Sequence, residues 1–385
     1  MRFSVVIFCI AFIGSGAYAQ TNAELATSAE QAFSSGDYMK AVENSEACIN
    51  KDSTNAECMI VLANAAVKLG DFALAKKSFH ALEELDSTYL GSYIHLASIY
   101  EQQQRIPRAT KYYNILNKMV PDNPVYFRKN AKLYGSIGDK QEAFRLYAKA
   151  NKLNPKDALT LKGLAEICLA NNQVQMADSL IRKGIDVDRE NISLYYLLSR
   201  SKYKQKQYDS VTVILESIQG MVDLNSYYNK LLGYSYLQID SVDLAIHKLQ
   251  LALVDEEESE KLHYYLASAF EKKENEEGAM YHFAKAVEFG KSPDLDLYHR
   301  NLARLANNAK DYKTALAHYK DAYKYGKDPV VLYYLATISD IYYKDKSIAM
   351  NYYKKYMKSG HAHEAYQEYA SSRLQYLKEQ KHQSQ

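Results

Sequence analysis

Small and large apolar positions alternate along the chain with the period of a helix, and the same block returns many times. In residues 90–123, Tyr93, Leu96, Ala97 and Tyr100 are spaced 3, 1 and 3, which is one face of a helix. Gln104, Arg105, Ile106 and Pro107 predict a turn, with Pro107 suited to the first turn of the next helix. Ala109, Tyr113 and Leu116 then form the apolar face of a second helix. One ladder of small residues runs Ala41, Ala75, Ala109, Ala143, Ala177, Val211, Ala245, Ala279, Ala315 and Ala349. Its step is 34 residues, except from Ala279 to Ala315, which is two longer. A second ladder lies twelve residues earlier: Ala29, Ala63, Ala97, Ala131, Ala165, Ser199, Gly233, Ala267 and Ala303.

Each block therefore predicts a helical hairpin. Turns are expected at Gly36-Asp37, Gly70-Asp71 and Gly138-Asp139, because glycine accepts positive φ after a helix end. Pro121, Pro155, Pro293 and Pro329 mark the ends of blocks. Small residues let helices approach closely. Phe79, Tyr113, Tyr147, Phe283, Tyr319 and Tyr353, four residues after a ladder position, fill the gap to the neighbouring hairpin. No block can bury both faces alone, so stability must come from stacking.

The pattern of large residue, Leu, small residue, aromatic, Ala, aromatic, Ala and Pro resembles the tetratricopeptide repeat. In the third block it is carried by Tyr93, Leu96, Ala97, Tyr100, Ala109, Tyr113, Leu116 and Pro121. The resemblance spans about residues 22–362 and implies an all-α, right-handed superhelical solenoid of about ten helix-turn-helix repeats. These start near 22, 56, 90, 124, 158, 192, 226, 260, 296 and 330. The sixth block departs most, with Ser199, Lys202 and Val211 at the small, aromatic and Ala positions, and the tenth is slipped by one residue at Leu335-Ala336. After Gly360, Ala365, Tyr369, Leu374 and Leu377 with polar flanks predict a capping helix. The organisation is thus residues 1–19 as a leader, 20–362 as the array, and 363–385 as the cap and a loose tail.

The leader reading rests on Arg2, the apolar run from Val5 to Ile13, the breakers Gly14 to Gly16, and Ala17-Tyr18-Ala19 as a cleavage site. The run is too short to span a bilayer, which needs about 20 residues. The product is expected to be exported, most simply to a periplasm, with secretion or surface display as alternatives. Three cysteines remain after the leader, a poor count for a disulfide framework. Cys48 and Cys168 fall at small core positions and are read as buried hydrophobes; a Cys48–Cys58 bridge between hairpins is the alternative.

Net charge is only +2, with 48 basic and 46 acidic residues, which leaves no footprint for nucleic acid. No metalloprotease, C-x-x-C, nucleophile-elbow or phosphate-loop motif is present, so no catalytic residue, metal or cofactor is expected. The acidic run from Asp255 to Glu260 is read as a solvated turn, and His361 and His363 as bystanders. His282 and His318 recur on second helices and are expected to stack across the outer surface.

The resemblance also implies that the fifth and ninth residues of each repeat line an inner groove. Through the first three repeats these are not basic. From the fourth to the ninth they include Arg128, Lys132, Lys162, Tyr196, Arg200, Lys230, Tyr234, Tyr264, Arg300 and Arg304. Cations interleaved with tyrosines suit an extended protein segment carrying carboxylates and apolar groups. The expected function is a non-enzymatic interaction scaffold in the cell envelope with acidic protein or peptide partners. A glycan or peptidoglycan module stacking on Tyr196, Tyr264 and Tyr334 is one alternative; an accessory subunit of an envelope enzyme or secretion complex is another. Oligomeric state is not legible.

Overall fold

The computed structural model describes residues 21–359 and 364–383. The expected leader and His361 and His363 lie outside the described residues. All regular structure among the described residues is helical, arranged in paired helix-turn-helix repeats. The chain divides into two compact units, Met1–Asn172 and Gln173–Gln385.

The first unit contains α1 (Asn22–Ser34), α2 (Tyr38–Lys51), α3 (Ala56–Leu69), α4 (Phe72–Leu85), α5 (Leu90–Gln102), α6 (Ile106–Met119), α7 (Pro124–Ser136), α8 (Lys140–Leu153) and α9 (Ala158–Ala170). The second contains α10 (Val174–Val187), α11 (Ile192–Lys204), α12 (Tyr208–Gln219), α13 (Ser226–Gln238), α14 (Val242–Asp255), α15 (Glu260–Lys272) and α16 (Glu276–Phe289). It continues with α17 (Leu295–Asn308), α18 (Tyr312–Gly326), α19 (Pro329–Tyr342), α20 (Ser347–Lys358) and α21 (Glu364–Gln383). Within each unit every helix packs on the next in sequence.

Both ladders face inward. Their alanines, with Ser199 and Val211, are fully buried. At Gly233, the glycine of the second ladder, the approach is tight: a Cβ there would sit 2.7 Å from Leu249 Cγ, so α13 meets α14 at a distance that only glycine allows. The sixth repeat departs from the pattern through a polar cluster. Lys202, buried where an aromatic is usual, donates to Asp178 Oδ2 at 2.5 Å, and Ser201 and Gln205 donate to the same carboxylate. Burial works against the charge on Asp178, but these three donors outweigh it and hold the carboxyl below its ordinary range.

The turn between paired helices has a constant shape. Gly36, Gly70 and Gly138 have positive φ, and so do Gln104, Asn172, Lys206, Asp240, Glu274 and Lys310 at the equivalent place in other repeats. The following residue caps the second helix where it is Asp: Asp37, Asp71, Asp139 and Asp311 each accept a backbone N–H from the first turn.

Three expectations change. Cys48 and Cys58 are joined in a disulfide linking α2 to α3, and only Cys168 is a free, buried thiol among the described residues. Cys58 sits on the inward face of α3, directly across from Cys48, so the two meet despite the low cysteine count. His282 and His318 do not stack on each other. Each faces a histidine of its own hairpin, with Nδ1 of His263 2.9 Å from Nδ1 of His282, and Nδ1 of His299 3.0 Å from Nδ1 of His318. The inward face of α21 runs through Tyr366, Ala370, Leu374 and Leu377, while Tyr369 is half exposed. Arg373 fixes that rotation by donating to the buried Asp340 of α19 at 2.6 Å.

Candidate functional site

The first unit brings three of the sequence-selected cations to one place. Arg128 and Lys132 stand one turn apart on α7, and Lys162 lies on α9, the next first helix. With Lys129 they border a cavity of ≈ 270 Å³ whose other lining residues are Glu101, Tyr147, Leu159, Gly163 and Glu166. Tyr147 of α8 forms its apolar wall. The ring lies so close to α9 that a Cβ on Gly163 would fall 2.3 Å from Tyr147 Cζ. Burial, with the nearby Glu166 carboxylate, pushes the Tyr147 hydroxyl up to about 12, so the ring is neutral in ordinary buffers.

Most of these cations already have partners. Arg128 Nε is 2.8 Å from Asp157 Oδ2, Lys129 Nζ is 3.7 Å from Glu101, and Lys162 Nζ is 3.6 Å from Glu166. Lys132 is exposed and makes no ion pair among the described residues. Four cations thus meet three carboxylates around an apolar wall, and the unbalanced one points to solvent.

The second unit holds the other candidates. Lys230 pairs with Glu256 at 2.7 Å, Arg300 with Asp296 and Asp328 at 2.9 Å each, and Arg304 with Glu271. Arg200 is exposed, without an ion pair among the described residues. Tyr196 stacks on Tyr228 with centroids 3.8 Å apart. Tyr234 sits among Tyr203, Tyr208 and Tyr265, and Tyr264 packs against Tyr298 and Phe283. The tyrosines therefore join one first helix to the next as well as facing outward.

A recurring contact escaped the sequence reading. Arg128, Lys230 and Arg300 each reach an acid at or near the entry to the following repeat: Asp157, Glu256 and Asp328. The signal was a spacing of 26 to 29 residues from cation to acid, visible only once the fifth position is known to point toward the next hairpin. In the acidic run, Glu256 accepts from Lys230 and Ser226, and Glu260 accepts from the Lys291 and Ser292 backbone. Among the described residues no cluster of three or more metal-ligating side chains occurs.

Residues 60–124 match the family described as the tetratricopeptide repeat. The chain carries tetratricopeptide repeats. Similar solved structures include YrrB, described as a tetratricopeptide repeat protein with an unusual peptide-binding site, at 18% identity over 52% of this chain and 97% of YrrB, TM-score 0.44. A tetratricopeptide repeat protein from Parabacteroides merdae is 16% identical over 65% of this chain and 98% of its own, TM-score 0.45. MamA from Desulfovibrio magneticus is 20% identical over 44% of this chain and 97% of its own, TM-score 0.41. No curated protein matches the chain. Tetratricopeptide repeats typically build protein–protein interaction scaffolds. No described helix is long and apolar enough to cross a membrane.

Proposed function

We propose that this tetratricopeptide protein is an exported scaffold of the cell envelope that holds an acidic, extended segment of a partner protein against α7 and α9. The observation that carries this reading is the α7–α9 cavity, where Lys132 has no carboxylate of its own beside the apolar Tyr147 wall. A partner carboxylate entering there gains Lys132 outright and competes with Glu166 for Lys162, whose 3.6 Å contact is long for an ion pair. An apolar neighbour in the partner segment covers Tyr147 and Leu159. The Cys48–Cys58 bridge supports export, because such bridges persist in oxidising compartments.

The test is a display of random peptides against the full chain, followed by anisotropy titration of the selected sequences. Enrichment of acidic sequences whose affinity falls with salt supports the reading. Cell fractionation with intact-mass measurement tests export: removal of residues 1–19 and a periplasmic pool are expected. The glycan alternative draws less support, since Tyr196, Tyr264 and Tyr334 each pack against a ring of this chain, namely Tyr228, Tyr298 and Tyr319.

A further inference from the structure

Positive charge is concentrated near the end of the second unit. Residues 310–358 hold ten lysines and five aspartates, with no arginine or glutamate, a net +5 in a chain whose total is +2. Four of the five aspartates are hydrogen-bonded or ion-paired within the chain, and the fifth, Asp321, lies near two histidines. Asp311 and Asp345 accept backbone N–H groups from Thr314 and Ser347. Asp328 pairs with Arg300, Asp340 with Arg373 and Lys346, and Asp321 acts on His318 and His299. Of the ten lysines, only Lys346 forms an ion pair among the described residues, and the other nine are exposed.

The repeat fixes where four of them stand. Lys320 and Lys324 on α18 are one turn apart, and Lys354 and Lys358 on α20 follow them by 34 residues at the equivalent positions of the next second helix. In α16, the preceding second helix, those places are Ala284 and Glu288, so the charged face is confined to the last two hairpins. One half-exposed aromatic accompanies the lysines on α18: Tyr325, next to Lys324, with one face of its ring stacked on His299.

Lysine is a compact, strongly hydrated point charge on a flexible stem and lacks the guanidinium fork that reads a single carboxylate. A lattice of lysines therefore suits a diffuse anionic surface better than one acidic side chain. Tyrosine prefers the boundary between water and hydrocarbon, with its ring inward and its hydroxyl wet. We propose that the outer face of α18 and α20 adsorbs to an anionic lipid surface. Each lysine contributes a modest attraction that decays within a Debye length, so several must act together and salt must weaken the contact.

The experiment is co-sedimentation of the full chain with vesicles of phosphatidylcholine, with and without phosphatidylglycerol, at low and high salt. Partitioning onto the anionic vesicles is expected to exceed that onto neutral ones by about tenfold or more, and to fall with salt. K320E/K324E/K354E/K358E should abolish the difference, and neutral glutamines at the same four positions should weaken it by about tenfold. Four equal reversals elsewhere, K77E/K118E/K140E/K183E, should leave most of it, with circular dichroism checking the fold of each variant. Equal partitioning onto both vesicle types, or loss equally from either set of reversals, overturns the proposal. So does salt-sensitive binding to soluble polyglutamate without vesicle binding, which would assign the face to an acidic protein.

Discussion

The Tyr147 ring occupies the space where any side chain on Gly163 would begin, 2.3 Å from its would-be Cβ. This contact seats α8 on α9 and shapes the cavity wall at once. Gly163→Ala should destabilise the chain by ~1–3 kcal/mol through overpacking, read as a lower urea midpoint. It should also weaken binding at the cavity, because the ring must swing outward. An unchanged midpoint would mean that the ring has room to move freely.

The turn position offers a gain in the opposite direction. Glu274 has φ 59° and no glycine's freedom. The left-handed conformation costs an L-residue about 1–2 kcal/mol, and the extra flexibility of an unfolded glycine offsets roughly half of that. Glu274→Gly is therefore expected to raise stability by up to about 1 kcal/mol in urea unfolding. Loss of stability would show that the side chain contributes there in some way the turn geometry does not reveal.

The histidine pairs predict acid sensitivity. His263 Nε2–H donates to the Glu257 carbonyl at 2.9 Å, leaving Nδ1 to accept from His282. A second proton on either pair removes the hydrogen bond and places like charges side by side. Burial, and then His263, pushes His282 down to about 4, and burial foremost lowers His263, His299 and His318. Lys285 and Glu288 act on the first pair, Asp321 and Lys324 on the second. A depressed histidine binds protons more readily in the unfolded chain. Its stabilisation is full above the unfolded value near 6.5 and is lost as pH falls toward about 4. Urea midpoints should drop across that window, and His282→Phe with His318→Phe should flatten the drop. A dependence unchanged in the double variant would place its origin elsewhere.

The Cys48–Cys58 bridge closes a short loop, with a sequence separation of 10. Chain entropy gives such a loop about 2–3 kcal/mol. Cys48→Ser with Cys58→Ser should lower the thermal midpoint of the first unit and increase hydrogen exchange in α1 and α2. Matching exchange in the two proteins would show that packing alone holds the first hairpin.

The repeat was legible because its signal is geometric and redundant. Ala97 and Ala109 mean little alone, but the same pair every 34 residues leaves few folds open. The left-handed turns were only partly visible, since Gln104 and Lys206 adopt a conformation their side chains do not advertise. The cation cluster of Arg128, Lys132 and Lys162 was legible from repeat position. Its partners were not, because Asp157 and Glu101 reach it from neighbouring hairpins and only packing brings them near. The disulfide was only half legible: the Cys48–Cys58 bridge stood as the alternative to buried thiols, and nothing decides between the two until α2 and α3 are set side by side.

The most direct test of the scaffold account is a titration of an acidic, aromatic-containing peptide, chosen by display against the full chain, into wild type and Lys132→Glu/Lys162→Glu. The account predicts an affinity loss of tenfold or more, about 1.4 kcal/mol or greater, with unchanged circular dichroism and a shallower salt dependence. Equal affinity in the two proteins would contradict it.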